Sequence, residues 1–586
     1  MSDGYYYFVS TRIENKELLE NKKIFSGAWC FDTRENLIKE KKNHHIVMND
    51  PWEELSDFES RYEFIFKSVR IFSKKLSNYL NNIHNTNYDE RYWNILILPW
   101  LVNYLPSLYF RWEIVKNAIQ LSKGKLSFSL FENKSVREVN NTIDFHNLIS
   151  SNDEYNYYIF KEILKHFSKN NQPIKFYTKK INFKNTKEYK NFFLLNNFWD
   201  KLNFSIAQNN KIFLDDKLLK KGNFFKINSN IKQIPLKSLS YFNYQRELQI
   251  LRNIKYSSEK RQNFRIFNNH NNEFYKFLEK QIISDLPKAF IEGYETINNI
   301  TKNLQTKTKL IISGYKHFHS EIFKIWSANC VKDKKTKLFL YVHGGSEQVK
   351  YTGCLQFESL IADKKITWSK PRNKNDLQMP PLYLNERNFK RKQPEFLTFV
   401  EEGHTRYHNR ISTPSVPKLY KNYDFITYLI NNLNQNIKNK ILYLPTNHFN
   451  FDETEKLKTL LDKKYINKKN SLKNYINKSR LVICPYPVTP LAESILSGPT
   501  ILINEFKKIP LYKFNFDFEK EFVKNKICFG SIQDACKHIN EIWNNPYDWW
   551  SSTGVQNVIN HFKKDYCNIK KNYLREWENL INKSIN

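Results

Sequence analysis

Short apolar runs, rich in β-branched residues, alternate with helix-length segments through the last third of the chain. Five such runs are FLTFVEE (396–402), ILYLP (441–445), RLVICPY (480–486), TILINE (500–505) and ICFG (527–530). Strands that alternate with helices are joined by crossovers, and crossovers build parallel sheets covered by helices. The pattern therefore predicts an α/β domain with a parallel sheet over residues 396–550.

A similar alternation occurs earlier in the chain. Short strands are predicted at KIFSG (23–27), KLIISGY (309–315) and KLFLYV (337–342), with a helix at 320–329. They indicate another Rossmann-like domain, over residues 1–370. Residues 120–300 are rich in Lys, Asn and Phe, and their apolar positions are often helically spaced. We expect a large, mainly helical insertion there.

Prolines set off the segment between the two predicted domains. This segment contains Pro371, Pro380, Pro381 and Pro394, and charged residues lie between them. Proline removes a backbone donor and restricts the preceding residue, so residues 371–395 are predicted to form an interdomain connector. The last segment, 551–586, is predicted to be helical. The predicted fold class is α/β, with two Rossmann-like domains.

The chain is strongly basic: 586 residues carry 93 Lys and Arg against 59 Asp and Glu, a net charge of +34. An apolar fraction of 40% supplies large cores and excludes a wholly disordered chain. Two interpretations of the charge stay open, a codon bias towards Lys and Asn or an attraction to phosphates of nucleotides, nucleic acids or membranes. Lysine is spread almost everywhere, which disfavours a dedicated nucleic-acid interface.

Cysteine usage and the N-terminus favour a reduced, cytoplasmic protein. None of the seven cysteines forms a CxxC pair, and the first residues contain no apolar signal segment. The most membrane-like stretch, 92–110, is interrupted by two prolines and two asparagines and is bracketed by Arg91 and Arg111. A buried helix is the favoured interpretation, and docking on a membrane surface is the alternative.

The strongest local signal is the segment TPLAESILSGPT at 489–500, where a predicted strand turns into a helix. Thr489 suits an N-cap and Pro490 the first helical position. The free N–H groups of the first helical turn would then lie at the carboxyl edge of a parallel sheet, where phosphates bind. Glu493 is placed to accept hydrogen bonds from a ribose diol, and Gly498 ends the helix. The alternatives are an ordinary cap and a carboxylate that only complements the helix dipole.

The second signal is His343-Gly344-Gly345, directly after the strand 337–342. A histidine at a strand's carboxyl end can act as a base near neutral pH, and glycines let a substrate approach the backbone closely. A plain turn with a structural histidine is the alternative.

Four further residues follow strands in the same way and are candidate phosphate or substrate contacts, although solvated loop residues are the alternative: His404, Arg406, Thr446 and His448. The chain has no Walker A, GxGxxG, HExxH or GxSxG sequence. No metal site is predicted.

Several blocks together resemble a family of bacterial transferases of lipopolysaccharide and other surface-carbohydrate biosynthesis. They are IFSGAWC (24–30), RYWNILILPWLVNYLPSLYFRWE (91–113), HGG with ESLIADKKITW (358–368), SRLVICPYPVTPLAESILSGPTIL (479–502) and HINEIWNNPYDWW (538–550). The family looks like a glycosyltransferase of GT-B type, which implies two Rossmann-like domains facing each other across a crevice. The HGG segment is also similar to the His-Gly of the glycerophosphotransferases of teichoic-acid synthesis.

The resemblance implies a metal-independent, inverting enzyme that moves a sugar from a nucleotide-activated donor to a glycan or lipid-linked acceptor, without a further cofactor. Glu493 would bind the nucleotide ribose and His343 would serve as base. Transfer of a polyol phosphate on the same fold is the first alternative, and a basic nucleic-acid-binding protein is the second. The basic charge also favours contact with the anionic inner face of the cytoplasmic membrane.

Overall fold

The structure is a computed structural model of the chain. It describes residues 4–16, 22–52, 55–131, 138–170, 174–179, 209–235, 242, 244–262, 271–302, 304, 307–333, 335–342, 344, 357–386, 391–392, 394–401, 403–411, 416–444, 461, 472–487, 489–503 and 517–585.

The chain divides into two compact units, each built from more than one stretch of sequence. The first comprises Met1–Asp216, Gln233–Leu338 and Arg406–Thr413. The second comprises Lys217–Lys232, Phe339–Thr405 and Pro414–Asn586. The domain boundaries at 370, 395 and 550 stay a prediction.

The described part of the first unit holds seven short strands. They are β1 Tyr6–Val9, β2 Lys23–Phe25, β3 Ile46–Val47, β4 Leu126–Phe131, β5 Ile174–Lys179, β6 Ile212–Leu214 and β7 Leu310–Ser313. Five of them form a parallel sheet in the order β3-β2-β1-β4-β5, and β6 pairs with β7, also in parallel. This mixed α/β architecture with parallel sheets confirms the predicted class and is compatible with a Rossmann-like domain.

Helices make up most of the rest of the first unit. Among the described residues their bounds are Arg12–Lys16, Arg34–Lys42, Leu55–His84, Glu90–Leu121, Thr142–Ser151, Asp153–Lys169, Tyr244–Arg252, Glu273–Asp285, Tyr294–Lys302, Lys316–His319 and Glu321–Val331. The helix Glu90–Leu121 confirms the prediction of a buried helix, since Trp93, Trp100 and Tyr104 on it are all 0% exposed. None of the described helices is both long and apolar enough to cross a membrane.

Residues 120–300 were predicted to be mainly helical, and among the described residues they contain three strands, β4, β5 and β6, beside their helices. The strand β4 pairs with β1 on one side and with β5 on the other, so the region completes the first sheet. The alternation of serine with apolar residues in β4 (LSFSLF) resembles a half-exposed strand. The face that carries the serines is nevertheless buried, since Ser129 is 0% exposed. The Ser127 hydroxyl donates a hydrogen bond of 3.2 Å to the Tyr6 carbonyl.

The remaining described strands belong to the second unit, apart from the first residues of β8. They are β8 Lys337–Tyr341, which straddles the division between the units, β9 Lys364–Thr367, β10 Asp376–Gln378, β11 Phe396–Val400, β12 Ile441–Leu444, β13 Ser479–Cys484, β14 Thr500–Ile503 and β15 Cys528–Phe529. The strands β8, β9 and β10 pair in parallel, and the last five form a parallel sheet in the order β12-β11-β13-β14-β15. All eight strands predicted from the sequence are present.

The helices of the second unit are, among the described residues, Lys221–Asn230, Glu358–Ile361, Leu382–Asn385, Val416–Asn432, Gln435–Lys438, Leu472–Lys478, Thr489–Ser497, Phe518–Lys524, Ile532–Ile542, Pro546–Trp550, Thr553–Phe562 and Tyr573–Ile585. The predicted connector 371–395 contains β10 and the short helix Leu382–Asn385. Leu382 and Leu384 are both 0% exposed, so this segment contributes to a core. Its role as a hinge stays a prediction.

Candidate functional site

The parallel sheet β12-β11-β13-β14-β15 reverses its winding direction at β11, next to the strongest sequence signal. From β11 the chain continues to β12 on one side of the sheet, whereas β13 lies on the other side of β11. In open α/β sheets the crevice at such a reversal, outside the carboxyl ends of the strands, is where ligands bind. The helix Thr489–Ser497 follows β13 at this edge.

The helix Thr489–Ser497 presents its first turn at the carboxyl end of β13. It begins at Thr489, so Pro490 is its second residue, one position later than the sequence prediction. The first N–H groups of a helix have no partner within the helix, and they carry the positive end of its dipole. Glu493 lies one turn after Thr489 and therefore on the same face. The local geometry can receive an anionic group.

Gly344 lies against the start of this helix. The residue is buried, and a Cβ added to it would come within 3.2 Å of the Thr489 hydroxyl oxygen. A Cβ at this distance requires the Thr489 hydroxyl to move by a few tenths of an ångström, so glycine lets the backbone after β8 approach Thr489 without displacing it. The structure thus brings together one residue from each of the two segments that the sequence singled out.

Glu493 is a buried carboxylate with a tyrosine partner. Its side chain is 1% exposed, and its Oε1 accepts a hydrogen bond of 2.8 Å from the hydroxyl of Tyr383. Tyr383 is 37% exposed. The tyrosine is therefore the accessible member of the pair, and the carboxylate lies beneath it.

Tyr383 is held by a buried aromatic group that the sequence analysis missed. The Leu382 N–H and the Trp368 indole N–H both donate to the Tyr341 hydroxyl, at 3.0 and 2.9 Å. Trp577 packs edge-on against Tyr341 and donates 2.9 Å to the carbonyl of Pro380. The available signal was the apolar sequence Leu-Tyr-Leu directly after two prolines, which is unusual for a solvated connector.

Gly498 lies at the other end of the helix, where Arg391 packs against it. The φ of Gly498 is +149°, and a Cβ there would come within 3.0 Å of the Arg391 Nε. Arg391 donates to the carbonyls of Ser479, Arg480 and Pro499 at 3.1, 3.0 and 2.9 Å. Burial lowers the pKa of Arg391 to about 10. Gly498 is thus separated from Thr489 by the length of the helix, and it packs against Arg391.

His404 and Arg406 are both buried, at 2% and 0% exposure. The Arg406 guanidinium donates to the carbonyls of Trp29 and Phe31, each at 3.1 Å, and lies 3.6 Å from the Asp32 carboxylate. Arg406 belongs to the first unit, whereas His404 belongs to the second. Its bonds to backbone carbonyls favour a structural role for Arg406 over contact with a phosphate.

Four predicted site residues lie outside the described residues: His343, Gly345, Thr446 and His448. Within the described part of the chain, no group of three or more His, Cys, Asp or Glu side chains is arranged to hold a metal ion.

The first sheet also has a reversal, between β1 and β4, with a buried acid after β1. Glu14 is 0% exposed, and its Oε2 accepts from the backbone N–H groups of Ser10 and Thr11 at 2.7 and 2.8 Å. Burial raises the pKa of Glu14 to about 8. The sequence Thr11-x-x-Glu14 is a capping box, a signal that could have been found in advance.

The comparisons place the chain among transferases. Neither a curated protein sequence nor a solved structure gives a significant match to it. A family model described as LIC12162 family transferase matches residues 6–581, nearly the whole chain. The protein is therefore a member of the LIC12162 family of transferases.

Proposed function

We propose that this transferase is a GT-B-type glycosyltransferase that moves a sugar from a nucleotide-activated donor to a surface-polysaccharide or lipopolysaccharide acceptor. The observation that carries the proposal is the contact of Gly344 with Thr489 at the start of a helix. That contact sets Gly344 against a helix end of the kind that favours anions, at a reversal of strand order. The resemblance to surface-carbohydrate transferases supplies the class of donor and acceptor.

The donor's phosphates would lie at the first turn of the helix Thr489–Ser497. Its N–H groups and dipole favour a negative charge, and they would stabilise the phosphate that leaves. This is the task that a metal ion performs in other transferases, so we propose a metal-independent reaction. Tyr383 and Glu493 would bind the ribose, with the exposed tyrosine hydroxyl meeting the diol and the buried carboxylate orienting that hydroxyl.

We keep His343, next to Gly344 in the sequence, as the proposed base. An acceptor hydroxyl oxygen forms a bond to the anomeric carbon while the bond from that carbon to the phosphate oxygen breaks. The proton of the hydroxyl passes to the histidine, and the electron pair of the broken bond leaves with the nucleotide. Attack from the face opposite the phosphate inverts the anomeric configuration.

Product analysis tests the proposal. The full chain is incubated with a panel of nucleotide sugars and a saccharide acceptor, and the new linkage is identified by mass spectrometry and NMR. We expect a glycosidic bond, unchanged turnover in EDTA, and a loss of about 10²–10⁴-fold in turnover for His343→Ala, the usual contribution of a general base. A phosphodiester in the product would instead support polyol-phosphate transfer. Full turnover by His343→Ala would refute the assignment of the base.

A further inference from the structure

The first unit contains a cavity of about 750 Å³ whose lining includes none of the residues described above at the two sheet edges. The helices Tyr294–Lys302 and Glu321–Val331 form its walls, together with the segments that lead into β7 and β8. These segments precede the strands, so the cavity opens at the amino ends of β7 and β8. Ligands of parallel sheets usually bind at the carboxyl ends, and this volume lies in the range of small-molecule sites.

The cavity is lined by an unusual concentration of positive charge. Of the fifteen described residues that line it, five are lysines, whereas Lys and Arg together account for 93 of the 586 residues of the chain. Within this described lining, Asp333 is the one carboxylate. Among the described residues, no ion pair is formed by Lys302, Lys332 or Lys335. Ammonium groups that line one cavity repel one another, and an anion relieves that repulsion.

The second observation is a buried hydroxyl in the cavity wall. Thr308 is 6% exposed, and its Oγ1 has no hydrogen-bond partner within the described part of the chain. Buried polar groups without a partner are rare and costly, and they point to an interaction partner from outside the chain. Thr308 lines the same cavity as the lysines, so a polar ligand held by them would lie next to this residue.

The remaining polar wall is a rigid amide network. The Asn329 side-chain nitrogen donates to the Asn298 amide oxygen at 2.8 Å and to the Thr301 hydroxyl at 3.2 Å. Its amide oxygen accepts from the Tyr92 hydroxyl at 3.2 Å. The hydrogen bond from Asn329 occupies the Asn298 amide oxygen and thereby fixes the orientation of the Asn298 side chain. An amide fixed in this way offers hydrogen bonds to hydroxyl groups without a large entropic cost.

We propose that this cavity binds a sugar phosphate, with the phosphate among Lys302, Lys332 and Lys335 and the sugar hydroxyls on Thr308 and Asn298. The lysines supply charge for a phosphate, and the hydroxyl and amide groups suit a polyhydroxylated ring. The site lies within the first unit. It shares no residue with the proposed donor site, so either can fail without the other.

Isothermal titration calorimetry on the full chain, at about 150 mM salt to screen diffuse attraction, tests the proposal. The probes are glucose 6-phosphate, glucose and inorganic phosphate. We expect saturable binding of glucose 6-phosphate, with at least about tenfold weaker binding of the other two probes, since each lacks one half of the recognised group. Absence of saturable binding of glucose 6-phosphate, or equal binding of glucose or inorganic phosphate, overturns the proposal.

Variants locate the binding. We expect Lys332→Ala/Lys335→Ala and, separately, Thr308→Val to weaken glucose 6-phosphate binding by at least about tenfold. Lys74→Ala/Lys75→Ala removes the same charge from two exposed positions on the helix Leu55–His84 and is the matched control. Thr308→Val should not lower the melting temperature of the free chain, because the hydroxyl it removes has no partner there. Equal weakening by the control pair, or unaffected binding in Thr308→Val, overturns the site.

Discussion

At the scale of single residues, the site is organised by buried polar groups rather than by exposed ones. Glu493 is 1% exposed, and the Tyr383 hydroxyl 2.8 Å from it is the group that reaches the surface. A carboxylate of this kind is retained because hydrogen bonds offset its desolvation. Its function is therefore inseparable from the tyrosine above it.

Removal of the tyrosine hydroxyl tests that pairing. We expect Tyr383→Phe to lower the free energy of unfolding by about 1–3 kcal/mol, the cost of leaving a buried acceptor without its donor. Tyr547→Phe is the matched control, because Tyr547 is 38% exposed and its hydroxyl makes no hydrogen bond within the described part of the chain. Chemical denaturation measures both. Equal stability changes in the two variants would contradict the pairing.

Glu14 predicts a dependence of stability on pH. Burial raises its pKa from 4.5 to about 8, so between these values the folded chain holds a proton that the unfolded chain has lost. The stabilisation is complete below pH 4.5 and is lost as the pH rises through 8. We expect Glu14→Gln, which does not titrate, to match the wild type near pH 5 and to melt about 2–4 °C higher near pH 9.

The control for Glu14 is Glu63→Gln, which removes an exposed carboxylate from the helix Leu55–His84. Its melting temperature should stay within about 1 °C of the wild type at both pH values, because surface substitutions have small effects. Melting curves across the pH range provide the comparison. The same pH profile for Glu14→Gln and the wild type would show that Glu14 does not titrate as proposed.

At the scale of elements, Arg391 anchors the carboxyl end of the helix Thr489–Ser497. Its guanidinium bonds carbonyls at the beginning of β13 and at the turn into β14. A cation at a helix carboxyl end also complements the dipole. The helix is thus fixed at the end away from the proposed donor, which leaves its first turn in a defined position.

Arg391→Lys separates the charge from the geometry of this anchor. Lysine keeps the cation but cannot bond several carbonyls in different directions, so we expect a loss of about 2–4 kcal/mol in the free energy of unfolding. Lys392→Arg is the matched control, because it exchanges the same two residue types at the neighbouring, exposed position. Urea denaturation measures both. A loss below about 1 kcal/mol for Arg391→Lys would contradict the role assigned to the anchor.

The elements also show how far sequence patterns reach. The strands β11, β13 and β14 could be predicted because each is an apolar run buried on both faces. β4 could not, because Ser127 and Ser129 imitate an exposed face while their neighbours bury it. The helix start at Thr489 could be predicted from capping and proline preferences, which act locally. The contact of Trp577 with Tyr341 could not, because nothing in the local sequence of either residue indicates the other.

At the scale of the whole molecule, the net charge of +34 predicts attraction to anionic membranes. We expect the chain to sediment with vesicles that contain about one third phosphatidylglycerol at about 150 mM salt, and to be released as salt rises, because the Debye length shortens. Vesicles of phosphatidylcholine alone are the control. A chain that stays in the supernatant with the anionic vesicles would refute this contact.

The central claim is that a nucleotide binds where Gly344 meets Thr489. Thermal shifts with CMP, CDP, UDP, GDP and ADP test it most directly, on the wild type, Gly344→Ala and the control Gly222→Ala, where an added Cβ meets nothing within 4 Å. A ligand at 100 times its dissociation constant stabilises by about 2.7 kcal/mol. We predict that one nucleotide raises the Tm of the wild type and of Gly222→Ala, and that the shift is largely lost in Gly344→Ala. No shift with any nucleotide, or an undiminished shift in Gly344→Ala, would contradict the claim.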